Sequence, residues 1–102
     1  MDVGYTLNGF DFVWNKEKAI SNLKKHGISF EKACEAFFDP FYLWEDASRN
    51  DEERWGLIGY SEDGDMLYVV SVEKNENAWR IVSARKAVKK ERKRYEEKND
   101  IA

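Results

Sequence analysis

Along this chain the apolar positions change period several times, and each change marks an element. Phe10, Phe12 and Trp14 alternate with Asp11 and Val13, which predicts a short strand with one buried face. Asn15 then supplies a cap, and Ala19, Ile20 and Leu23 recur at helical spacing. Gly27 has the position of a left-handed terminator, so the helix ends at His26 and Ile28 folds back onto Leu23. Ser29 caps a second helix almost at once. Glu31 lies in its first turn, and Phe30, Ala33, Cys34, Phe37 and Phe38 form its apolar stripe until Asp39-Pro40 stops it.

FYLW, residues 41–44, suits a further strand, and EDASRNDEE after it reads as a polar loop. Three more strands are expected over residues 54–60, 66–73 and 79–84. The Asp-Gly pair of SEDGD and the short KNENA turn join them as an antiparallel meander, because such short loops cannot carry a parallel crossover. In the last strand Trp79, Ile81 and Ser83 are expected on one face and Arg80, Val82 and Ala84 on the other. A helix over about residues 85–98 follows, with Ser83 or Ala84 near its cap. Its apolar stripe is narrow, made of Ala87, Val88 and Tyr95 with Glu91 between them, so a wide polar face is left exposed. The predicted order is β-α-α-β-β-β-β-α: an α+β fold with an N-terminal strand and two helices, an antiparallel meander and a C-terminal helix.

Length bounds this picture to one domain over residues 1–102, and 42% hydrophobic with 15% aromatic residues is enough for a dense core. Charge divides the chain. The first 79 residues carry 8 Lys+Arg against 16 Asp+Glu, whereas the remaining 23 carry 9 against 4, within a net charge of −3. A basic segment on an acidic body points to a phosphate-bearing partner, or to the domain's own acidic part, rather than to a general nucleic-acid coat or a membrane surface. No window approaches the ~18 apolar residues of a membrane span, and no basic region followed by an apolar stretch opens the chain. A cytoplasmic location is the expectation.

Candidate chemistry is sparse. Cys34 sits among aromatic and small residues and reads as core; as the one cysteine it permits no internal disulfide. There is no Gly-rich phosphate loop, no His/Cys/Asp cluster with metal spacing and no Ser-His-Asp order, so neither metal nor cofactor is expected. What remains is cationic. Arg85, Lys86, Lys89, Lys90, Arg92, Lys93 and Arg94 surround the last helix, either as a solvated face or as a set of phosphate contacts. Arg80 lies in a strand between Trp79 and Ile81, and Arg54 opens another strand; each needs an open sheet face or a carboxylate such as Glu53 or Glu73. His26, the one histidine, suits a helix C-terminus electrostatically, and catalysis by it would need a second proton-transfer group.

Three segments in order, FVWNKEKAISNLKKHGISFEKACEAFFDP, ERWGLIGYSEDGDMLYVVSVE and RIVSARKAVKKERKRYEE, resemble the BrnT toxin family over residues 12–97. The resemblance implies a RelE-like fold and an endoribonuclease that arrests translation when free. It also implies a cognate ribbon-helix-helix-type antitoxin, paired first as a heterodimer and then as a heterotetramer, which masks the toxin and carries the complex to operator DNA. Its pattern falls on His26, Arg54, Arg80, Ser83, Arg85, Glu91 and Tyr95; the residues ahead of FDFVW and Asn15, where Asp is common, depart from it. On the family's reaction class, Arg54, Arg80 and Arg85 stabilise the scissile phosphate, and His26, or Tyr95 in its place, moves protons. Lys24, Lys25, Lys86, Lys89 and Lys90 are expected to bind the RNA backbone, and the cut leaves a 2′,3′-cyclic phosphate without metal. Two other readings stay open: a non-catalytic toxin of the same scaffold, such as a gyrase inhibitor, and a basic interaction module.

Overall fold

The computed structural model describes residues 1–100. Six strands, β1 (Asp2–Leu7), β2 (Phe10–Asn15), β3 (Leu43–Asp46), β4 (Trp55–Tyr60), β5 (Met66–Asn75) and β6 (Ala78–Lys86), accompany three helices, α1 (Lys16–His26), α2 (Phe30–Glu35) and α3 (Lys89–Lys98). A single 3-10 turn, Ala36–Phe38, extends α2. The sheet order is β1-β2-β6-β5-β4-β3, antiparallel except where β2 runs parallel to β6. The α+β class and the β4-β5-β6 meander agree with the sequence reading.

Local chemistry accounts for most boundaries. Asn15 Oδ1 accepts from the Lys18 N–H at 3.0 Å and Ser29 Oγ from the Lys32 N–H at 3.1 Å, so both helices start at the expected caps. Gly27, at φ 71°, donates its N–H to the Leu23 carbonyl and closes α1. The strand β1 was not anticipated. It pairs with β2 through Asn8-Gly9, both at positive φ (51° and 82°), the backbone that a two-residue hairpin turn demands. The strand expected at residues 41–44 begins instead at Leu43 and extends to Asp46, where β4 offers a partner.

Three further departures matter for the site. First, α1 buries Asn22 and leaves Ile20 and Leu23 about half exposed, while Ile28 enters the core instead of folding onto Leu23. Asn22 faces inward because it is fully used: Nδ2 donates to the Ile28 and Ala84 carbonyls and Oδ1 accepts from the Ala84 N–H. Second, the pairing of β6 with β5 shifts register between Val70 and Ser71, so Ile81 and Ala84, expected on opposite faces, are both buried in one core cluster. Third, β6 continues through Arg85 and Lys86, and α3 starts only at Lys89. Pairing with Tyr68 and Leu67 keeps those two basic residues in the sheet.

The two sheet faces are covered unequally. Phe12, Trp14, Leu57, Leu67, Val69, Ile81 and Ala84 meet Ile28 and the α2 residues Phe30, Ala33 and Cys34 on one face. On the other, Ile58, Met66 and Tyr95 form a smaller cluster with Leu43, Tyr68 and Ala87. Strand alternation assigns these sets to opposite sides, since Leu57 and Ile58, or Leu67 and Met66, are chain neighbours. The last helix packs over the β4 end of its face. Tyr68, Val70 and Val72 of β5, with Arg80 and Arg85 of β6, keep partial exposure on that face.

Candidate functional site

Strand β6 presents Arg85 on the face that α3 half covers. Glu91, in the first turn of α3 and 6% exposed, holds it: Nη1 and Nη2 donate to the two carboxylate oxygens at 2.8 Å each. This planar two-bond fork fixes the guanidinium, with Nη1 also donating to the Lys86 carbonyl. The Glu91 carboxylate further accepts from the Val88 N–H at 2.9 Å, closing the helix start in the way a side-chain cap would. Burial by itself would raise the pKa of Glu91; the Arg85 hydrogen bonds, the Val88 N–H and the charges of Arg85 and Arg94 outweigh it, so the acid is held below its ordinary range. The hydrogen bond from Glu91 raises the Arg85 pKa in turn. Two of the five N–H donors of Arg85, the Nε–H and one on Nη2, have no partner among the described residues.

Below the guanidinium lies the ring of Tyr68, 4.7 Å from Arg85 Cζ to the ring centroid. The ring lies across β4 at Gly56, where a Cβ would come within 2.3 Å of the Tyr68 hydroxyl oxygen, so glycine alone leaves it room. Burial and the charges of Glu45 and Glu91 push the Tyr68 phenol up, against the opposing Arg85 and Arg94. At neutral pH it is a proton-bearing donor. Arg94, from α3, forks onto Glu45 of β3, with Nη2 donating to Oε1 at 3.0 Å and Nε to Oε2. A ring of Arg85, Tyr68, Arg94 and two carboxylates thus spans the groove between α3 and the sheet.

The other candidate residues distribute around this groove. Arg80 lies on the same strand as Arg85 and donates to Asp2 at 3.0 Å, reaching over β2 to β1; that hydrogen bond is the main reason the Asp2 pKa is lowered. Arg54, just before β4, is held by Glu52, not by Glu53 or Glu73. Lys86, Lys89 and Lys90 are exposed at the junction of β6 and α3. Ser83 is half-buried on β6.

The two expected proton carriers differ in exposure. Tyr95 is 2% exposed, and its hydroxyl donates to Asp39 Oδ2 at 2.7 Å; Asp39 also accepts from the Tyr60 and Phe41 N–H groups. Burial, then the Asp39 hydrogen bond, raises its pKa strongly. It ties α3 to the segment after α2, so to serve as a substitute acid or base Tyr95 would first have to give up Asp39. His26 is exposed in the last turn of α1 with Lys24 and Lys25. Asn22, one turn earlier, is bonded to Ala84, so this turn sits at the Arg85 end of β6 but on the opposite face from α3.

Tyr68, Gly56, Glu45 and Arg94 were not singled out by sequence reasoning as one constellation. A glycine inside the apolar strand RWGLIGY was the available signal, since it marks a close approach by another group. Cys34 is fully buried, as its neighbours implied, and burial pushes its thiol pKa up. Among the described residues, no three His, Cys, Asp or Glu side chains converge in a way that would hold a metal ion. No helix there is long and apolar enough to cross a membrane.

The family described as "Ribonuclease toxin, BrnT, of type II toxin-antitoxin system" matches residues 14–91. No curated protein matches the chain. Among solved structures, the Brucella abortus ribonuclease toxin, BrnT, is similar at 22% identity with a TM-score of 0.53, covering 74% of this chain and 94% of that one. At that identity the likeness speaks for the fold.

Proposed function

Because this chain belongs to the BrnT family of ribonuclease toxins of type II toxin–antitoxin systems, we propose that it is a cytoplasmic, metal-independent endoribonuclease that inhibits translation and is neutralised by a ribbon-helix-helix-type antitoxin. The RelE-like scaffold and operator binding through the toxin–antitoxin complex belong to the same proposal. The observation that carries the catalytic part is Arg85, fixed by a buried carboxylate and stacked on Tyr68, with two N–H donors still available.

In this reaction the 2′-oxygen attacks the adjacent phosphorus, the P–O5′ bond breaks, and a 2′,3′-cyclic phosphate remains. The protein has three tasks: hold the strand for in-line attack, stabilise the negative charge that builds on phosphate, and supply a proton to the departing 5′-oxygen. Arg85 meets the phosphate with a guanidinium that needs no reorganisation. Tyr68, protonated at neutral pH, donates to the 5′-oxygen, while the 2′-hydroxyl proton passes to water. Arg80 and Arg54 exchange their exposed carboxylate partners for flanking phosphates, and Lys86, Lys89 and Lys90 extend the cationic track. Lys24 and Lys25, with His26, form a second basic edge at the same end of β6, which a longer strand reaches on leaving the groove.

The test is incubation of antitoxin-free protein with RNA in excess chelator, with Arg85→Gln and Tyr68→Phe alongside. Cleavage by the wild type and its loss in Arg85→Gln support the reading; intact RNA with wild-type protein leaves the non-catalytic toxin or the interaction module.

A further inference from the structure

On the sheet face opposite the arginine groove, the strands carry a second feature that the cleavage mechanism does not use. Trp44 of β3, Trp55 of β4 and Trp79 of β6 alternate with Glu45, Gly56 and Arg80, and so point to the side of the main core. With Phe38 they line an aromatic pocket of about 580 Å³, whose charged lining is Glu73 and Glu76. Trp44 and Trp79 stack, centroids 4.9 Å apart and planes at 20°, and Trp55 meets Trp44 edge-on at 6.4 Å. All three tryptophans are only partly buried.

Both carboxylates are exposed, and neither has an ion-pair or side-chain hydrogen-bond partner among the described residues. Aromatic faces attract cations through their quadrupoles, tryptophan most strongly, and a carboxylate beside them adds Coulombic attraction. The same carboxylates repel a phosphodiester. The volume lies in the range of specific ligand sites and exceeds what one side chain fills. The occupant is therefore cationic at its tip and apolar along its length, and the acidic balance of the first 79 residues favours a basic approaching segment.

We propose that this pocket anchors the antitoxin: an arginine or lysine carried on an apolar segment of that protein inserts among Trp44, Trp55 and Trp79, and Glu73 and Glu76 receive its charge. This rests on the toxin reading above. It separates the anchor from the arginine groove, so that binding and masking are the work of different parts of the antitoxin.

The experiment measures affinity, by calorimetry, for the small protein encoded by the reading frame adjacent to this chain's. The variants are Glu73→Lys/Glu76→Lys, Glu73→Gln/Glu76→Gln and Arg85→Gln. Charge reversal at the pocket weakens binding at least tenfold, the neutral pair weakens it less, and RNA cleavage by either antitoxin-free variant matches wild type. Arg85→Gln loses cleavage while its affinity stays within twofold. Unchanged affinity in both glutamate variants overturns the anchor, as does a tenfold loss confined to Arg85→Gln, which would put the antitoxin on the groove. Failure of the toxin reading has a different signature: wild-type protein that leaves RNA intact. Circular dichroism of each variant verifies folding, which substitutions at two exposed glutamates leave unaltered.

Discussion

Glu91 accepts two 2.8 Å hydrogen bonds from Arg85 while buried to 6% exposure, and the same carboxylate accepts from the Val88 N–H. One acid thus joins the end of β6 to the start of α3 and orients the groove's central cation. Arg85 is a candidate for contact with substrate, whereas Glu91 acts through it.

That arrangement has a pH signature. The folded-state pKa of Glu91 is depressed, so its contribution to stability is present above the unfolded carboxylate value and disappears as pH falls through the lower folded value. Glu91→Gln should cost about 2 kcal/mol at neutral pH, the scale of hydrogen bonds to a charged group. Urea unfolding from pH 7 downward should show the wild-type advantage intact to about pH 4.5 and shrinking below it. A difference that stays constant down to pH 2 would show that the ion pair is not its source.

Tyr95 gives the clearest separation of structure from chemistry. Its hydroxyl is buried against Asp39, so Tyr95→Phe should lower stability by about 1 kcal/mol and leave cleavage within about twofold of wild type. Thermal melts and initial cleavage rates on the same preparation check both. A large loss of rate without loss of stability would return Tyr95 to the catalytic set.

Gly56 is expected to act at a distance from substrate. A methyl there meets the Tyr68 hydroxyl at 2.3 Å, and the ring must swing away from Arg85. Gly56→Ala should therefore reduce cleavage about as much as Tyr68→Phe, on the order of a hundredfold for a lost proton donor, with a smaller effect on folding. Full activity in Gly56→Ala would remove Tyr68 from the mechanism.

Asn22 tests the packing logic of α1. Replacing it with Leu restores the apolar stripe but strands the Ala84 N–H and the Ala84 and Ile28 carbonyls, all of which it satisfies. A loss of about 2–4 kcal/mol is expected in chemical denaturation, since several buried groups go unpaired at once.

Local signals carried much of the fold. Asn15, Ser29 and Gly27 marked helix ends because capping is a short-range matter, and the Asp-Gly turn set the meander. Asn8-Gly9 is an equally good hairpin signal, and β1 is the strand it implies. Where the reading failed, long-range pairing decided the outcome. No periodicity announces that Asn22 will find Ala84, that a bulge will put Ile81 and Ala84 on one face, or that Tyr68 and Leu67 will keep Arg85 and Lys86 in a strand. The site followed the same rule. Arg85 stood out as a charge in the sequence, but its Glu91 fork and Tyr68 platform exist only once β5, β6 and α3 are assembled.

The proposed reaction at the Arg85 groove is 2′-hydroxyl attack on RNA without a metal ion. Its most direct measurement is the end chemistry of RNA treated with antitoxin-free protein in excess chelator, resolved by mass spectrometry. The expected products are 2′,3′-cyclic phosphate ends paired with 5′-hydroxyls, absent with Arg85→Gln. Fragments ending in 3′-hydroxyl groups, or cleavage that stops when metal is removed, would contradict it.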